Sequence, residues 1–431
     1  MSLGRAFSTF GLAVISLGCA AEDEVPNDGP ILGGPTAIRH RCQVQQPVLR
    51  VPEVTWPAFH LSSDGDRRLL ARSEAEGFSP ASRIVVATQT PLGETDLQIV
   101  AENSAPGSLD LLDFATRPGG WALVYTREQA VEVAVHDGTK MEVVPIPDLA
   151  AWSISSAQLE AHEQGWWLAF QDASGTRAPG AYLLSLDPGG QPRSAPVPLI
   201  SSAEGNLSYT LAPRAVAWSR RGAADGDRSF FFAPLGADGL IGPTHKIQDS
   251  WFWELTFSGS APQILALPSG HLVAFPESEL RWEDGSPVDP VTGEEEAKQG
   301  RKYVARTTLR LARFDAEGQP VSPSRVLMNP EPHREQVSPR LFNFAGELGL
   351  IWSTGSVIYG CAGCVPDHDL RFVLLDPHDL TPASEVLALP YEGTGGLLRL
   401  TAAPMGSELG MAVHITHHVS SEPATATIRC D

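Results

Sequence analysis

A spaced repeat of about fifty residues constrains this chain more than any other feature. One recurring segment starts at glycine and runs into apolar and aromatic residues: GWALVY from Gly120, GWWLAF from Gly165, GHLVAF from Gly270, GLIW from Gly349 and GMAVH from Gly410. A second ends in a turn: VEVAVHDG (131–138), YLLSLDPGG (182–190), FFFAPLGADG (230–239), LRLARFDAEG (309–318) and LRFVLLDPHD (370–379). Asp-Gly and Asp-Pro reverse a chain with little strain, so each of these reads as a strand closing on a tight turn. The turn aspartates Asp137, Asp187, Asp238, Asp315 and Asp376 are spaced by 50, 51, 77 and 61 residues. A proline ladder, Pro213, Pro262, Pro339 and Pro404, steps by 49, 77 and 65. Both ladders give the same base period, with the larger steps in the same units.

No long stretch carries a helical period; short apolar runs broken by Gly, Pro and Asp point to an all-β chain. Units of this length with four short strands each predict a single β-propeller. The spacing divides the chain into seven blades, at 54–103, 106–148, 150–202, 205–249, 251–330, 333–391 and 394–430. The last unit supplies only three strands, Leu397–Ala402, Gly410–His414 and Ala424–Cys430. Its outer strand is then expected from Cys42–Val51, so that the two ends of the domain pair and close the ring. Six or eight blades, or two separate β-sandwiches, remain open on spacing alone. Trp121, Trp166, Trp167 and Trp352 fall on the repeating strands and are expected in the blade-packing core. The chain resembles propeller repeat proteins in architecture only. It lacks the recurring Gly-His and Trp-Asp pairs of WD repeats, and Ser62-Ser63-Asp64-Gly65 is a lone echo of the boxes of sialidases.

At the other extreme of the chain, Arg5 precedes an apolar run, Leu12-Ala13-Val14-Ile15, followed by Ser16-Leu17-Gly18-Cys19-Ala20. The run is too short to span a bilayer, which takes about 20 apolar residues, and reads as a targeting segment. It resembles a bacterial lipoprotein signal, in which a small residue precedes a cysteine that is lipidated and becomes the mature N-terminus. Ser16 stands where that family prefers leucine. The resemblance implies a signal peptide at 1–18, lipidation of Cys19 and attachment to a membrane. Ala20 and Ala21, in place of aspartate, imply the outer membrane of a Gram-negative bacterium. An ordinary secretory signal is the alternative. Residues 19–41 would be the lipidated cysteine and a tether, acidic and then rich in Pro and Gly, a composition that cannot build a core. The propeller domain would occupy 42–431.

The chain has 31 basic against 51 acidic residues, a net charge of −20. Such a surface repels phosphate backbones, which argues against a nucleic-acid partner. The only lysines are Lys140, Lys246, Lys298 and Lys302, which argues against a lysine-dependent cofactor. With Cys19 lipidated, four cysteines remain in an oxidising compartment, a pattern that suggests two disulfides. Spacing does not fix their pairing, but the repeat favours Cys42 with Cys430 and Cys361 with Cys364. The Cys-x-x-Cys could otherwise hold a soft metal or act in redox chemistry.

In a propeller, the loop between the second and third strands opens on the same side as the link to the next blade. Both insertions fall in that loop. The first, Pro276 to Lys302, carries Glu277, Glu279, Glu283, Asp284, Asp289, Glu294, Glu295 and Glu296; the second, Thr354 to Asp369, carries Cys361, Cys364, Asp367, His368 and Asp369. The matching loop of blade seven, 414–424, holds His414, His417 and His418. Asp367, His368, Asp369, His414, His417 and His418 are of the types that hold a divalent metal; solvated loop side chains are the plainer outcome. No Gly-rich phosphate loop, nucleophile elbow or HExxH is present. The expectation is a monomeric, lipid-anchored envelope propeller that binds a protein or glycan without a cofactor. The alternative is an envelope hydrolase or lyase with a metal or carboxylate site on loops 276–302, 354–369 and 414–424.

Overall fold

The short apolar runs become strands. The computed structural model describes residues 38–50, 58–75, 81–90, 93–103, 109–201, 207–221, 227–251, 261–282, 302–327, 334–344, 346–356, 368–389, 395–417 and 421–431. Strand β1 (Cys42–Arg50) comes first. Blade one is β2 (Phe59–Ser63), β3 (Arg68–Glu74), β4 (Arg83–Thr90) and β5 (Gly93–Glu102). Blade two is β6 (Leu109–Arg117), β7 (Gly120–Arg127), β8 (Ala130–His136) and β9 (Met141–Pro145). Blade three is β10 (Ile154–His162), β11 (Gly165–Asp172), β12 (Gly180–Leu186) and β13 (Val197–Ser201). Blade four is β14 (Leu207–Ala212), β15 (Ala215–Arg221), β16 (Asp227–Pro234) and β17 (His245–Trp251). Blade five is β18 (Gln263–Leu267), β19 (Gly270–Trp282), β20 (Lys302–Phe314) and β21 (Arg325–Val326). Blade six is β22 (Arg334–Phe344), β23 (Glu347–Ser356), β24 (His368–Leu375) and β25 (Leu387–Leu389). Blade seven is β26 (Gly395–Met405), β27 (Glu408–His417) and β28 (Ser421–Cys430), completed by β1 on its outer edge. Each blade is an antiparallel meander, and a single parallel bridge, Thr307 to Glu335, links blades five and six.

The seven-bladed reading and its closure therefore hold. Strand β1 pairs with β28 in the register Cys42 to Cys430, Gln43 to Arg429 and Val44 to Ile428, and a disulfide joins Cys42 to Cys430. The segment just before Cys42, assigned from sequence to the tether, is held too. The Arg39 and His40 amides donate to the Ala383 carbonyl at 2.9 and 3.1 Å. The Arg39 guanidinium reaches Glu347 and Asp376.

The second strand of each blade is sandwiched between neighbouring blades, which is why it reads as continuously apolar. Adjacent residues of β11 serve opposite faces. Trp166 packs with Val133, Val135 and Leu159 between blades two and three. Trp167 packs with Leu211 and Trp218 between blades three and four. Trp121, Trp166, Trp167 and Trp352 are all at most 2% exposed, as expected. The glycine opening β11 has its own cause: Gly165 sits at φ 153°, and a Cβ there would collide with the Leu186 carbonyl.

The turn ladder needs one correction. Asp187 and Asp315 close their turns through backbone bonds to Gln191 and Gln319, and their carboxylates cap N–H groups within the turn. Asp137 and Asp376 play the same part. In blade four that position belongs to Gly236, which bonds to Leu240; Asp238 lies two residues further on and caps the Leu240 amide instead. Gly318, at φ 86°, lets the blade-five turn settle against Pro234 of blade four, where a Cβ would overlap the proline ring. The proline ladder mixes unlike sites. Pro213 lies in the turn after β14, Pro262 just before β18, Pro339 inside β22 and Pro404 inside β26. Proline is tolerated at each for a local reason, so the common spacing is not a common structure.

Around the axis, inner strands hand hydrogen bonds to their neighbours at six of the seven junctions among the described residues. Asp113 of β6 takes the Leu159 amide of β10 at 2.6 Å. Gln158 of β10 takes the Leu211 amide and donates to the Tyr209 carbonyl, both on β14, at 2.7 and 2.6 Å. Thr210 of β14 donates to the Pro262 carbonyl. Arg340 of β22 donates to the Leu400 carbonyl at 3.0 Å, and Thr401 of β26 takes the Leu61 amide of β2 at 3.0 Å. Ser62 and Thr116 carry the chain from β2 back to β6. Gln158→Ala leaves two backbone groups of β14 without their partners. It should destabilise the ring by about 1–3 kcal/mol, measured by denaturant unfolding, with little change in the slope because the exposed surface is unaltered.

Candidate functional site: a raised face and a polar axis

The turn after the second strand and the link to the next blade leave on one side of the ring. Blade two is short there: β7 and β8 join through Glu128-Gln129, with φ of 49° and 77°, the left-handed pair of a tight hairpin. Blade five differs. Strands β19 and β20 have 13 residues each, and their pairing continues to Trp282 opposite Lys302. Set against the 8-residue β7, the added length is about 17 Å at 3.2–3.4 Å per residue. Blades six and seven are raised as well. Gly355 pairs with His368, Gly395 pairs with His417, and Thr416 pairs with Ser421.

This corrects the expected loops. Residues 276–282 and 302 of the first insertion, 354–356 and 368–369 of the second, and most of 414–424 are strand. The inserted residues extend existing hairpins because the ladder keeps finding partners. His368 and Asp369 lie on β24, opposite Gly355 and Thr354, and His414 and His417 lie on β27. Glu277, first of the insertion's acids, is committed to Arg310 and to the Gln248 amide. Cys19, Cys361, Cys364, Asp367, His418 and residues 283–301 lie outside the described residues. Among the described residues, no group of three His, Cys, Asp or Glu is placed to hold a metal ion.

A second concentration of chemistry lies on the inner strands and was not anticipated. His60 Nδ1 sits 2.9 Å from Asp113 Oδ1, while the other Asp113 oxygen holds the Leu159 amide. Glu160, two residues on from Gln158, is surrounded closely enough that burial pushes its carboxyl up to about 8, with the Asp113 carboxylate adding to the shift. Tyr209 is 4% exposed, and burial raises its hydroxyl as well, with Asp113 contributing. Ser156 interacts with the Tyr209 hydroxyl, while His60 Nε2 is buried with no hydrogen-bond partner among the described residues. Buried polar atoms of this kind ordinarily meet water or a ligand. Burial, with the Asp113 carboxylate adding to it, favours the protonated form of Glu160. The available signal was faint: charged residues recurring inside the short inner strands LDLLDFATR and ISSAQLEAH.

No family model matches this chain, and no curated protein matches it. Solved structures of similar fold include a puromycin hydrolase, with 15% identity, a TM-score of 0.46 and coverage of 83% of this chain and 50% of that one. One of two prolyl endopeptidases is similar at 15% identity and a TM-score of 0.47, covering 83% of this chain and 45% of that one. The chain thus spans about half the length of either. A subtype N11 neuraminidase-like protein of A/flat-faced bat/Peru/033/2010 (H18N11) has 11% identity and a TM-score of 0.42, with coverage of 93% and 96%. These are similarities of fold.

Glu160 gives the axis a pH signature. Its folded carboxyl lies above the ordinary value of the unfolded chain, so the folded state holds the extra proton in between. That contribution is fully present below the unfolded value and is lost as pH rises through about 8. The slope is at most about 1.4 kcal/mol per pH unit. Glu160→Gln should flatten stability between pH 5 and about 8 and raise it at the alkaline end, as read by urea unfolding across pH.

Proposed function

We propose that this protein is a lipid-anchored propeller of the cell envelope, held to the outer membrane through Cys19, that binds a protein or glycan on its raised face. The observation that carries the reading is the asymmetry of the ring. Blade two turns back early, whereas the hairpin of blade five extends to Trp282 and Lys302 and its neighbours in blades six and seven are lengthened. A wall along part of a rigid rim gives a large partner a concave seat. Varying the connections on a fixed scaffold is how folds of this kind acquire recognition. The N-terminal resemblance supports the anchor, and the acidic balance of 51 against 31 suits a soluble domain that avoids anionic polymers.

A second reading, an envelope hydrolase or lyase, draws support from the raised acid Glu160 beside Asp113. It would act within the ring, and Glu160→Gln would abolish turnover of any substrate found.

The test uses residues 20–431 against arrayed envelope glycans and against envelope proteins captured by cross-linking, alongside an intact-mass measurement, on the full-length chain, for acylation of Cys19. A variant in which residues 280–305 are replaced by Asn-Gly joins Glu279 directly to Arg306, opposite each other in the ladder. It should lose binding by about tenfold or more, while its melting temperature stays within about 3 °C of the parent's. Undiminished binding by this variant, or conversion of the ligand by the parent, contradicts the reading.

A further inference from the structure

The edge at which the chain enters the ring carries charge that the other described side chains do not leave free. An open cleft of about 1320 Å³ lies there, lined by Arg39, Arg41, Gln43, Glu385, Arg429 and Asp431 among others. Arg39 is committed to Glu347 and Asp376, at 3.1 and 2.7 Å, and His40 bonds the Asp431 carbonyl and Glu347. Arg41 and Arg429 differ. Both are exposed, and among the described residues neither guanidinium has an ion pair, hydrogen bond or ring contact. The other arginines with described side chains are engaged: Arg214 with Glu163, Arg313 with the His378 carbonyl, Arg220 over the Phe231 ring, Arg371 within its own surroundings. In a chain of net charge −20, two uncommitted guanidinium groups on one cleft run against the trend.

The ladder explains why they share a side. Gln43 stands opposite Arg429, and the Arg41 amide bonds the Asp431 carboxylate at 3.0 Å. Strand alternation therefore puts Arg41, Gln43, Arg429 and Asp431 on one face of the β1–β28 ribbon, with the Asp431 carboxylate held on the Arg41 amide. Cys42, Val44, Ile428 and Cys430 occupy the other face, in the core between blades six and seven. Because the disulfide fixes this register, the two arginines are held at a set spacing.

This edge is also the root of the tether. Along the chain, Ile38 follows Cys19 by only 19 residues, so acylation of Cys19 would attach the lipid close in sequence to this edge. We propose that the cleft docks the ring onto an anionic phospholipid surface, Arg41 and Arg429 each taking a headgroup phosphate. Guanidinium matches phosphate in charge and in fork geometry. Long-range repulsion from the acidic remainder is screened beyond about 8 Å at physiological salt, so contact at the cleft decides the outcome. The inference rests on the lipid-anchored reading, and it adds an orientation: the tether root faces the membrane and the raised face is left to a partner.

Flotation with vesicles tests it, using residues 20–431, which carry no acyl chain and keep the whole compact unit Ile31–Asp431. Vesicles of phosphatidylcholine alone are compared at physiological salt with vesicles in which a quarter of the lipid is phosphatidylglycerol. Binding should appear only with phosphatidylglycerol and weaken at higher salt. The double variant Arg41→Gln, Arg429→Gln should lower it on the order of thirtyfold, at roughly fivefold per arginine. Arg41→Lys with Arg429→Lys should keep most of it, and Arg220→Gln should leave it unchanged. Neither cleft guanidinium has a partner to lose among the described residues, so the parent's melting temperature should be kept. Equal binding to both vesicles, or full binding by the double glutamine variant, overturns the proposal. So does binding of free glycerol phosphate as tight as that of vesicles, which would make a soluble phosphate ester the occupant. Because the probe carries no lipid, these results stand apart from the mass measurement at Cys19.

Discussion

The ring depends on inner strands handing hydrogen bonds to their neighbours across most of its blade junctions. A four-stranded blade satisfies its own backbone except at its edges, and the inner edge lies where bulk water is scarce. An unpaired buried amide there costs as much as a lost hydrogen bond. The clamps from Asp113, Gln158, Thr210, Arg340 and Thr401 meet that need and also fix how far each blade advances along the axis. Side chains that bond across a junction set the register of blades whose apolar faces alone would tolerate sliding. The strand pair β1–β28, with its disulfide, completes the circle from outside.

Much of this was legible in the sequence, for a physical reason. A blade is a local object: four strands in order, with turns whose chemistry sits at fixed offsets. The seven units, the borrowed outer strand and the Cys42–Cys430 pairing could therefore be read from runs such as GWWLAF and from turn aspartates. Local reading failed where one side chain could do a job in more than one way. Gly236 and Asp238 both make sense in a turn, and only the backbone bond from Gly236 to Leu240 tells which one closes it. The prolines were worse guides, because a proline reports only that its own N–H is not needed.

The candidate sites were harder still. His60, Asp113, Glu160 and Tyr209 come from four different blades, so nothing in the order of residues announces their meeting. The insertions were visible as extra length, yet extra length reads as loop unless each residue's partner across the hairpin is known. The pairing of Glu279 with Arg306 and of Trp282 with Lys302 turns that length into a wall. The axis and the raised rim then divide the labour. The axis holds polar groups under tight constraint, where a proton can be kept at a cost to stability. The rim varies without disturbing the clamps below it.

Native-state hydrogen exchange before and after reduction of Cys42–Cys430 tests the central claim, that closure and the inner clamps act as one cooperative unit. In the oxidised ring, the clamped amides of Leu61, Leu159 and Leu211 should exchange together, through global opening. On reduction, β1 and β28 should lose protection first, and those three amides should follow as a group. Unchanged protection of the three after reduction, or blades that exchange at independent rates while the disulfide is intact, would contradict the account.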